Sequence, residues 1–290
     1  MLLENMSLGF AAGFLALLVA SAVDIRTREV PDWISYSLIT FAIGYSAILS
    51  AYHSTWGFLV NALAGFAIGA AIGLLMFYTG QWGGGDSKLI MGVSALFGFS
   101  IPGMSQIYGN YELFIFLANT ILVGAVYGLL FSTYKATTNF GACKIEARKK
   151  LGQRKMAYVR TAIIIILAAG LAYHVLSYTL ESMLVFAFAI LVAVLFYVSV
   201  FLSCVENVCM IKEIEVGKLT EGDWLANDAE KNGKAVVKAS KIGLTLEEIA
   251  KLRKSSIKKV VVKEGIPFVP SFLIAYILTF LLQNWIMTLF

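Results

Sequence analysis

Residues 57–89, GFLVNALAGFAIGAAIGLLMFYTGQWGGGDSKL, join a long apolar run to a glycine triplet and then to a short polar cluster. The run 57–79 has the length of about 20 residues that an α-helix needs to cross a bilayer. Small residues spaced four apart give a helix a smooth face, against which a second helix can pack closely. The run carries three glycines at this spacing: Gly65, Gly69 and Gly73. It therefore predicts a membrane helix with a close neighbour.

The whole chain has the composition of a membrane protein. Of its 290 residues 59% are hydrophobic and 14% are charged, and the mean hydropathy is +0.80, which excludes an ordinary soluble domain. The apolar runs are 6–23, 33–52, 57–79, 87–102, 111–134, 157–180, 182–203 and 267–289. The run 87–102 is short, so a thin span and a re-entrant segment both fit it. Counted as a span, it gives a polytopic α-helical membrane protein with about eight transmembrane helices.

The basic residues predict the orientation of these helices. Arg26 and Arg28 follow the first run and a basic cluster lies at 135–160, whereas the loops near 53–56 and 100–110 contain no Lys or Arg. Cytoplasmic loops are enriched in Lys and Arg, so both termini are expected outside the cell membrane. The net charge of +5 then reflects inner loops that contact anionic membrane lipid, and no nucleic-acid partner is expected.

The chain divides into five predicted regions, which differ in apolar content and charge. The segment 204–266 is rich in charge, alternates like strands in MIKEIEVGKL and KKVVVKE, and starts a helix at the capping residue Thr245. It predicts a small cytosolic α+β insert before the last helix. The regions are a catalytic membrane core at 1–134, a basic cytosolic loop at 135–156, a helical membrane hairpin at 157–203, the α+β module at 204–266 and a C-terminal transmembrane helix at 267–290.

Two aspartates at the edges of apolar runs are the candidate catalytic residues. Asp24 ends the first run and Asp86 opens the fourth, and the predicted topology places both at the cytoplasmic face. Two neighbouring carboxyl groups share one proton, because both cannot ionise cheaply. The ionised carboxylate can accept a proton from water as it attacks a peptide carbonyl, and the protonated one can donate. This chemistry needs no metal and no cofactor.

Helix ends suggest which aspartate is ionised at rest. Asp86 is expected at a helix N-terminus, which favours a negative charge, and Asp24 near a helix C-terminus, which disfavours it. Asp86 is therefore the predicted base and Asp24 the predicted proton carrier. Two simpler alternatives remain open: Asp86 is only a helix N-cap, and Asp24 is only a boundary residue in a polar loop.

The two motifs resemble those of the type IV prepilin peptidase and archaeal preflagellin peptidase family, within the GxGD membrane aspartyl proteases. Residues 83–89, GGGDSKL, look like the family motif GxGDxKL. Asp24, followed by 30–32, VPD, looks like its first-aspartate motif, in which a hydrophobic residue, Pro and Asp or Asn come several residues later. The motif-level resemblance covers about the first 135 residues.

The resemblance implies an aspartic endopeptidase that removes a short basic leader from prepilin- or preflagellin-like precursors with class III signal peptides. Asp24 and Asp86 match the catalytic pair of the family. Gly83 and Gly85 would shape the loop, and Lys88 is a motif residue of undefined role. N-methyltransferase activity is not expected, because the paired CxxC motifs of bacterial members are absent from the sequence.

The acidic residues Glu29 and Asp32 allow two interpretations. They would attract the basic end of a leader, or they would be solvated loop charges paired with Arg26 and Arg28. A different function is open for the aspartates as well, since carboxylates in membrane proteins also bind ions and relay protons. The alternative function is thus an ion- or proton-coupled membrane transporter.

Overall fold

The computed structural model describes residues 2–99, 101, 111–231, 233–240 and 242–282, with side chains from residue 8 onward. The helices in these residues are α1 (Leu2–Thr27), α2 (Asp32–Tyr52), α3 (Gly57–Tyr78), α4 (Gly84–Phe97), α5 (Glu112–Thr138), α6 (Phe140–Leu151), α7 (Arg154–Ser177), α8 (Leu180–Cys209), α9 (Leu246–Lys254) and α10 (Val269–Leu281). The strands are β1 (Ile211–Glu215), β2 (Trp224–Leu225), β3 (Ala229–Lys231), β4 (Lys234–Val237) and β5 (Lys259–Lys263). The helices dominate, as the composition predicts for a multi-pass membrane protein.

Six of the described helices are long and apolar enough to cross a membrane: α1, α2, α3, α5, α7 and α8. Six of the eight predicted spans therefore correspond to helices that have the length and composition of a membrane span. α4 has 14 residues, which rise about 21 Å and fall short of a hydrocarbon core of about 30 Å. α10 is apolar but has 13 residues, and the predicted run 267–289 lies partly outside the described residues.

α4 lies inside a hydrophobic cluster that several helices share. Leu89, Ile90 and Val93 are fully buried in a hydrophobic cluster to which α1, α2, α5 and α10 also contribute. The helix runs antiparallel to α3, from the level of Phe77 to that of Asn61, whose carbonyl accepts the Phe99 N–H at 2.8 Å. Because side chains surround α4, its apolar residues are buried by protein and its short length needs no lipid contact.

The glycine face of α3 packs against α4, as the spacing predicts. Gly65, Gly69 and Gly73 are buried, and a methyl group on Gly73 would lie 2.7 Å from the carbonyl oxygen of Ser87. On Gly69 a methyl group would lie 2.5 Å from Ser94 Cβ. The backbones of the two helices therefore approach so closely that only glycine fits, and α3 fixes the position of α4.

The chain forms two compact units, one made of residues 1–128 and 212–290 and the other of residues 129–211. In the second unit, the predicted basic loop 135–156 is mostly helical, because α5 continues to Thr138 and α6 covers Phe140–Leu151. α7 and α8 form the predicted hairpin, and α8 begins at a Thr179 cap that accepts the Ser182 N–H at 3.2 Å. Within α6, residues 144–151, KIEARKKL, are mostly strong helix formers, which favours a helix over a loop in this part of the segment.

The α+β module begins with β1 at Ile211, since α8 continues to Cys209, beyond the predicted boundary at 204. It contains a three-stranded sheet with the order β1-β5-β2, and β3 pairs antiparallel with β4. The strands predicted in MIKEIEVGKL and KKVVVKE are confirmed, and so is the Thr245 cap, which accepts the Glu248 N–H at 3.3 Å. The module has a hydrophobic core of its own, which includes Leu225, Leu252 and Val262.

Candidate active site

Asp24 lies in the last turn of α1, and its side chain is 4% exposed. The helix ends three residues later because Arg28 adopts a left-handed backbone with φ of 62°, and its N–H donates to the Asp24 carbonyl at 2.8 Å. The chain then passes through buried Val30 to Pro31 and enters α2. The carboxyl group of Asp24 thus lies at a helix end, directly before a sharp change of chain direction.

Asp86 lies in the first turn of α4, at the third helical position. Gly83 is the residue that precedes the helix, and its N–H donates to Asp86 Oδ2 at 3.1 Å. The interpretation of Asp86 as the N-cap residue itself is therefore wrong, although its carboxyl group does close the first turn. Gly83 also accepts the Ser87 hydroxyl at 3.0 Å, which completes the turn around the carboxyl group.

The two aspartate motifs are in direct contact. Gly85 packs against the backbone of Val30, and a methyl group on Gly85 would lie 2.8 Å from Val30 Cβ. Lys88 Nζ is 2.6 Å from Asp32 Oδ1 and also lies over the ring of Tyr36, 5.4 Å from its centre. The segments 24–32 and 83–88 therefore form one structure, although about 50 residues separate them in the sequence.

Within this structure the two carboxyl groups lie close enough to interact electrostatically, because Gly85 packs against Val30 in the loop that follows Asp24. They occupy neighbouring helix ends in the same compact unit. A pair in this arrangement favours states in which one carboxyl group is protonated and the other is ionised. The geometry is thus compatible with acid–base chemistry by both groups.

The N-terminus of a third helix, α10, contacts Asp24, and nothing in the sequence predicts this contact. Val269, the first residue of α10, donates its N–H to Asp24 Oδ2 at 3.0 Å. Asp24 is therefore near a helix C-terminus and also accepts a hydrogen bond from a helix N-terminus, which stabilises a negative charge. The prediction that helix ends favour a negative charge on Asp86 and disfavour one on Asp24 did not include this hydrogen bond, and the assignment of the base and the proton carrier stays a prediction. Helix ends do not decide which aspartate is ionised.

The other predicted site residues have structural partners around the pair. Lys88 and Asp32 bind each other, which gives Asp32 a partner in the other aspartate motif. Glu29 Oε1 accepts the hydroxyl of Thr220 at 2.8 Å, and Gly85 borders Val30, which fills the space beside it. Sequence analysis missed two contact residues, Thr220 and Val269, and named Val30 as part of the motif 30–32 without its contact to Gly85.

Comparison with known proteins relates the part of the chain that contains both aspartates to one family of peptidases. The family model of the type IV leader peptidase family matches residues 11–129. The chain is 36% identical over 89 residues to a preflagellin peptidase of Methanocaldococcus jannaschii. These residues make up 31% of this chain and 38% of that protein. It is also 36% identical over 87 residues to a preflagellin peptidase of Methanococcus maripaludis. The matched segment makes up 30% of this chain and 37% of that protein.

A third relative, a preflagellin peptidase of Methanococcus voltae, is 33% identical over 107 residues, which is 37% of this chain and 46% of that protein. Each match thus spans less than half of the relative. The family match begins before Asp24 and ends after the α4 segment that contains Asp86, so that it includes both aspartates. Over residues 11–129 this chain is therefore a match to the type IV leader peptidase family.

Proposed function

We propose that this chain is a membrane aspartyl endopeptidase that removes a short basic leader from prepilin- or preflagellin-like precursors. One observation carries the proposal: Asp24 and Asp86 stand at adjoining helix ends inside the segment that matches the leader peptidase family. The relatives are named preflagellin peptidases, which supports the same substrate class. N-methyltransferase activity is not part of the proposal.

The proposed mechanism uses the two carboxyl groups as acid and base. The ionised carboxylate accepts a proton from a water molecule as the water oxygen bonds to the carbonyl carbon of the scissile peptide. The protonated carboxyl group donates its proton to the carbonyl oxygen, which gives a tetrahedral diol. As the C–N bond breaks, the group that took the proton from water gives it to the leaving nitrogen, and the other carboxylate takes back a proton from a diol hydroxyl as the C=O bond forms again. The hydrogen bonds from Gly83 and Val269 keep both groups in place during this exchange.

The proposed substrate enters from the lipid with its apolar helix beside the spans. Its basic end then lies near the cytoplasmic surface, where anionic lipid and the aspartates attract positive charge. In this proposal Asp24 and Asp86 lie at the cytoplasmic face of a multi-pass cell-membrane protein with both termini outside. The orientation follows from the distribution of Lys and Arg and belongs to the proposal.

Incubation of membranes that contain this protein with a precursor bearing a basic leader tests the proposed function. We expect a shortened product whose new N-terminus, read by mass spectrometry, lies directly after the leader. Membranes without the protein are the control. A precursor that stays intact, together with ion flux in proteoliposomes that depends on Asp24 and Asp86, would support the transporter alternative instead.

The ion pair between Asp32 and Lys88 gives a prediction that separates a structural role from leader attraction. We expect Asp32→Asn and Lys88→Met each to destabilise the protein by at most about 1 kcal/mol, since the pair is partly exposed. If the pair joins the two motifs, we expect both variants to cleave the precursor more slowly than the wild type. Thermal unfolding in detergent and steady-state cleavage kinetics measure the two effects.

The charge-exchanged double variant, Asp32→Lys with Lys88→Asp, is the matched control for this pair. We expect it to cleave better than either single charge reversal, because attraction between the two positions is restored. Direct attraction of a basic leader predicts a different pattern. Asp32→Asn would then raise KM, whereas Lys88→Met would lower KM by leaving Asp32 unneutralised.

A further inference from the structure

The α+β module holds the loop that follows Asp24, through a side chain that the proposed chemistry does not use. Thr220, in the turn before β2, donates its hydroxyl proton to Glu29 Oε1 at 2.8 Å. The turn is itself fixed, because the Thr220 N–H donates to Asp223 Oδ2 at 2.8 Å. An ordered turn of the module therefore anchors the loop at a residue five positions after Asp24.

A second anchor joins the same loop to the segment that leads into α10. Arg28 Nη1 donates to the carbonyl oxygen of Gly265 at 2.7 Å, and Gly265 lies between β5 and α10. Four residues later, Val269 donates its N–H to Asp24 Oδ2. A continuous series of contacts thus runs from the module, through the loop and the start of α10, to the carboxyl group of Asp24.

We propose that the α+β module positions Asp24 for catalysis, with Thr220, Glu29 and Arg28 as positioning residues. The inference rests on the proposed peptidase function and gives the module a role within it. Arg28 has a left-handed backbone that is uncommon for residues other than glycine, and surrounding contacts hold it there. Loss of an anchor lets the loop relax, and Asp24 then shifts relative to Asp86.

Thr220→Val is the test that leaves every charge in place. The variant keeps the size of the side chain and removes the hydroxyl donor. We expect kcat for precursor cleavage to fall about tenfold with KM unchanged, because a displacement of about 1 Å in an active site can cost up to about 10²-fold in rate. Thr220→Ser restores the donor and is expected to recover most of kcat. Glu221→Ala, which changes the neighbouring exposed side chain, is the surface control.

Variants of Glu29 separate positioning from attraction of a basic leader. Glu29→Gln keeps an oxygen that can accept the Thr220 hydroxyl and removes the charge, whereas Glu29→Leu removes both. Positioning predicts that Glu29→Leu resembles Thr220→Val and that Glu29→Gln retains more of kcat. Leader attraction predicts an equal rise in KM for both Glu29 variants and wild-type kinetics for Thr220→Val, and that result would overturn the proposal.

Hydrogen–deuterium exchange provides a readout that does not depend on cleavage. We expect the backbone amides of residues 25–32 to exchange faster in the full-length Thr220→Val protein than in the wild type or in Glu221→Ala. Unchanged exchange would overturn the positioning role, even in a protein that cleaves its precursor. If the wild type cleaves nothing, the proposed function fails, and the exchange experiment still decides whether the module holds this loop.

Discussion

We expect Asp24→Asn and Asp86→Asn each to lower the rate of precursor cleavage by about 10²- to 10⁴-fold. Acid–base catalysis by a positioned side chain usually contributes a factor of this size. Asparagine preserves the shape of aspartate but cannot accept and return a proton at neutral pH. Its carbonyl oxygen can still accept the N–H of Val269 at position 24 or of Gly83 at position 86. The fold should therefore survive while cleavage is lost.

Asp228→Asn is the matched control for both substitutions. Its carboxylate accepts a backbone N–H, that of Ala239 at 2.8 Å, and it lies in the α+β module away from the pair. We expect this variant to cleave at the wild-type rate. Thermal unfolding in detergent should give the same midpoint for all three variants to within a few degrees. Full cleavage by a folded Asp24→Asn or Asp86→Asn protein would refute the two-aspartate mechanism.

Gly85→Ala is expected to reduce cleavage by about 10²-fold, although it adds a single methyl group. The methyl group would lie 2.8 Å from Val30 Cβ, 3.1 Å from the Val30 carbonyl oxygen and 3.2 Å from its nitrogen. Backbone atoms cannot move away as a flexible side chain would, so the Val30 loop and the start of α4 must separate. Separation displaces Asp86 from Asp24, and displacements near 1 Å have effects of this size.

Gly84→Ala is the control for this substitution, because it makes the same change one residue earlier in the same helix turn. A methyl group on Gly84 would lie 3.7 Å from Phe77 Cε2, an ordinary contact, so we expect near wild-type cleavage. Val30→Gly in the Gly85→Ala background removes the nearest atom and should recover part of the lost activity. Equal rates for the two alanine variants would show that contact between the motifs is not needed.

Periodicity and composition predicted the membrane helices well. α2 and α3 match the runs 33–52 and 57–79 to within one residue, because a bilayer demands an unbroken apolar segment of fixed length. The glycine spacing in α3 likewise predicted its close packing. The helix in 135–156 was missed since a basic segment outside the apolar runs carries no hydropathy signal, and helix propensity alone is weak.

The candidate site, like the fold, was predicted from the sequence only in part. Motif spacing predicted Asp24 and Asp86 as the candidate pair, because the proposed chemistry requires carboxylates and glycines at set positions in a continuous stretch of sequence. It left the role of Lys88 open and offered two roles for Glu29, since a partner 56 or 191 residues away leaves no local pattern. The hydrogen bond from the Val269 N–H to Asp24 cannot be predicted from the sequence. Every residue except proline has a backbone N–H, and only the fold decides which group it contacts.

The sequence by itself thus determined that this protein is built of apolar membrane helices and that two aspartates stand at helix ends, because hydropathy and local motifs act over a few neighbouring residues. Only the tertiary structure decided that Val30 meets Gly85, that Asp32 binds Lys88 and that α10 begins against Asp24. These contacts join segments far apart in the chain. They depend on how whole helices pack, and on the glycine face of α3 that sets where α4 lies.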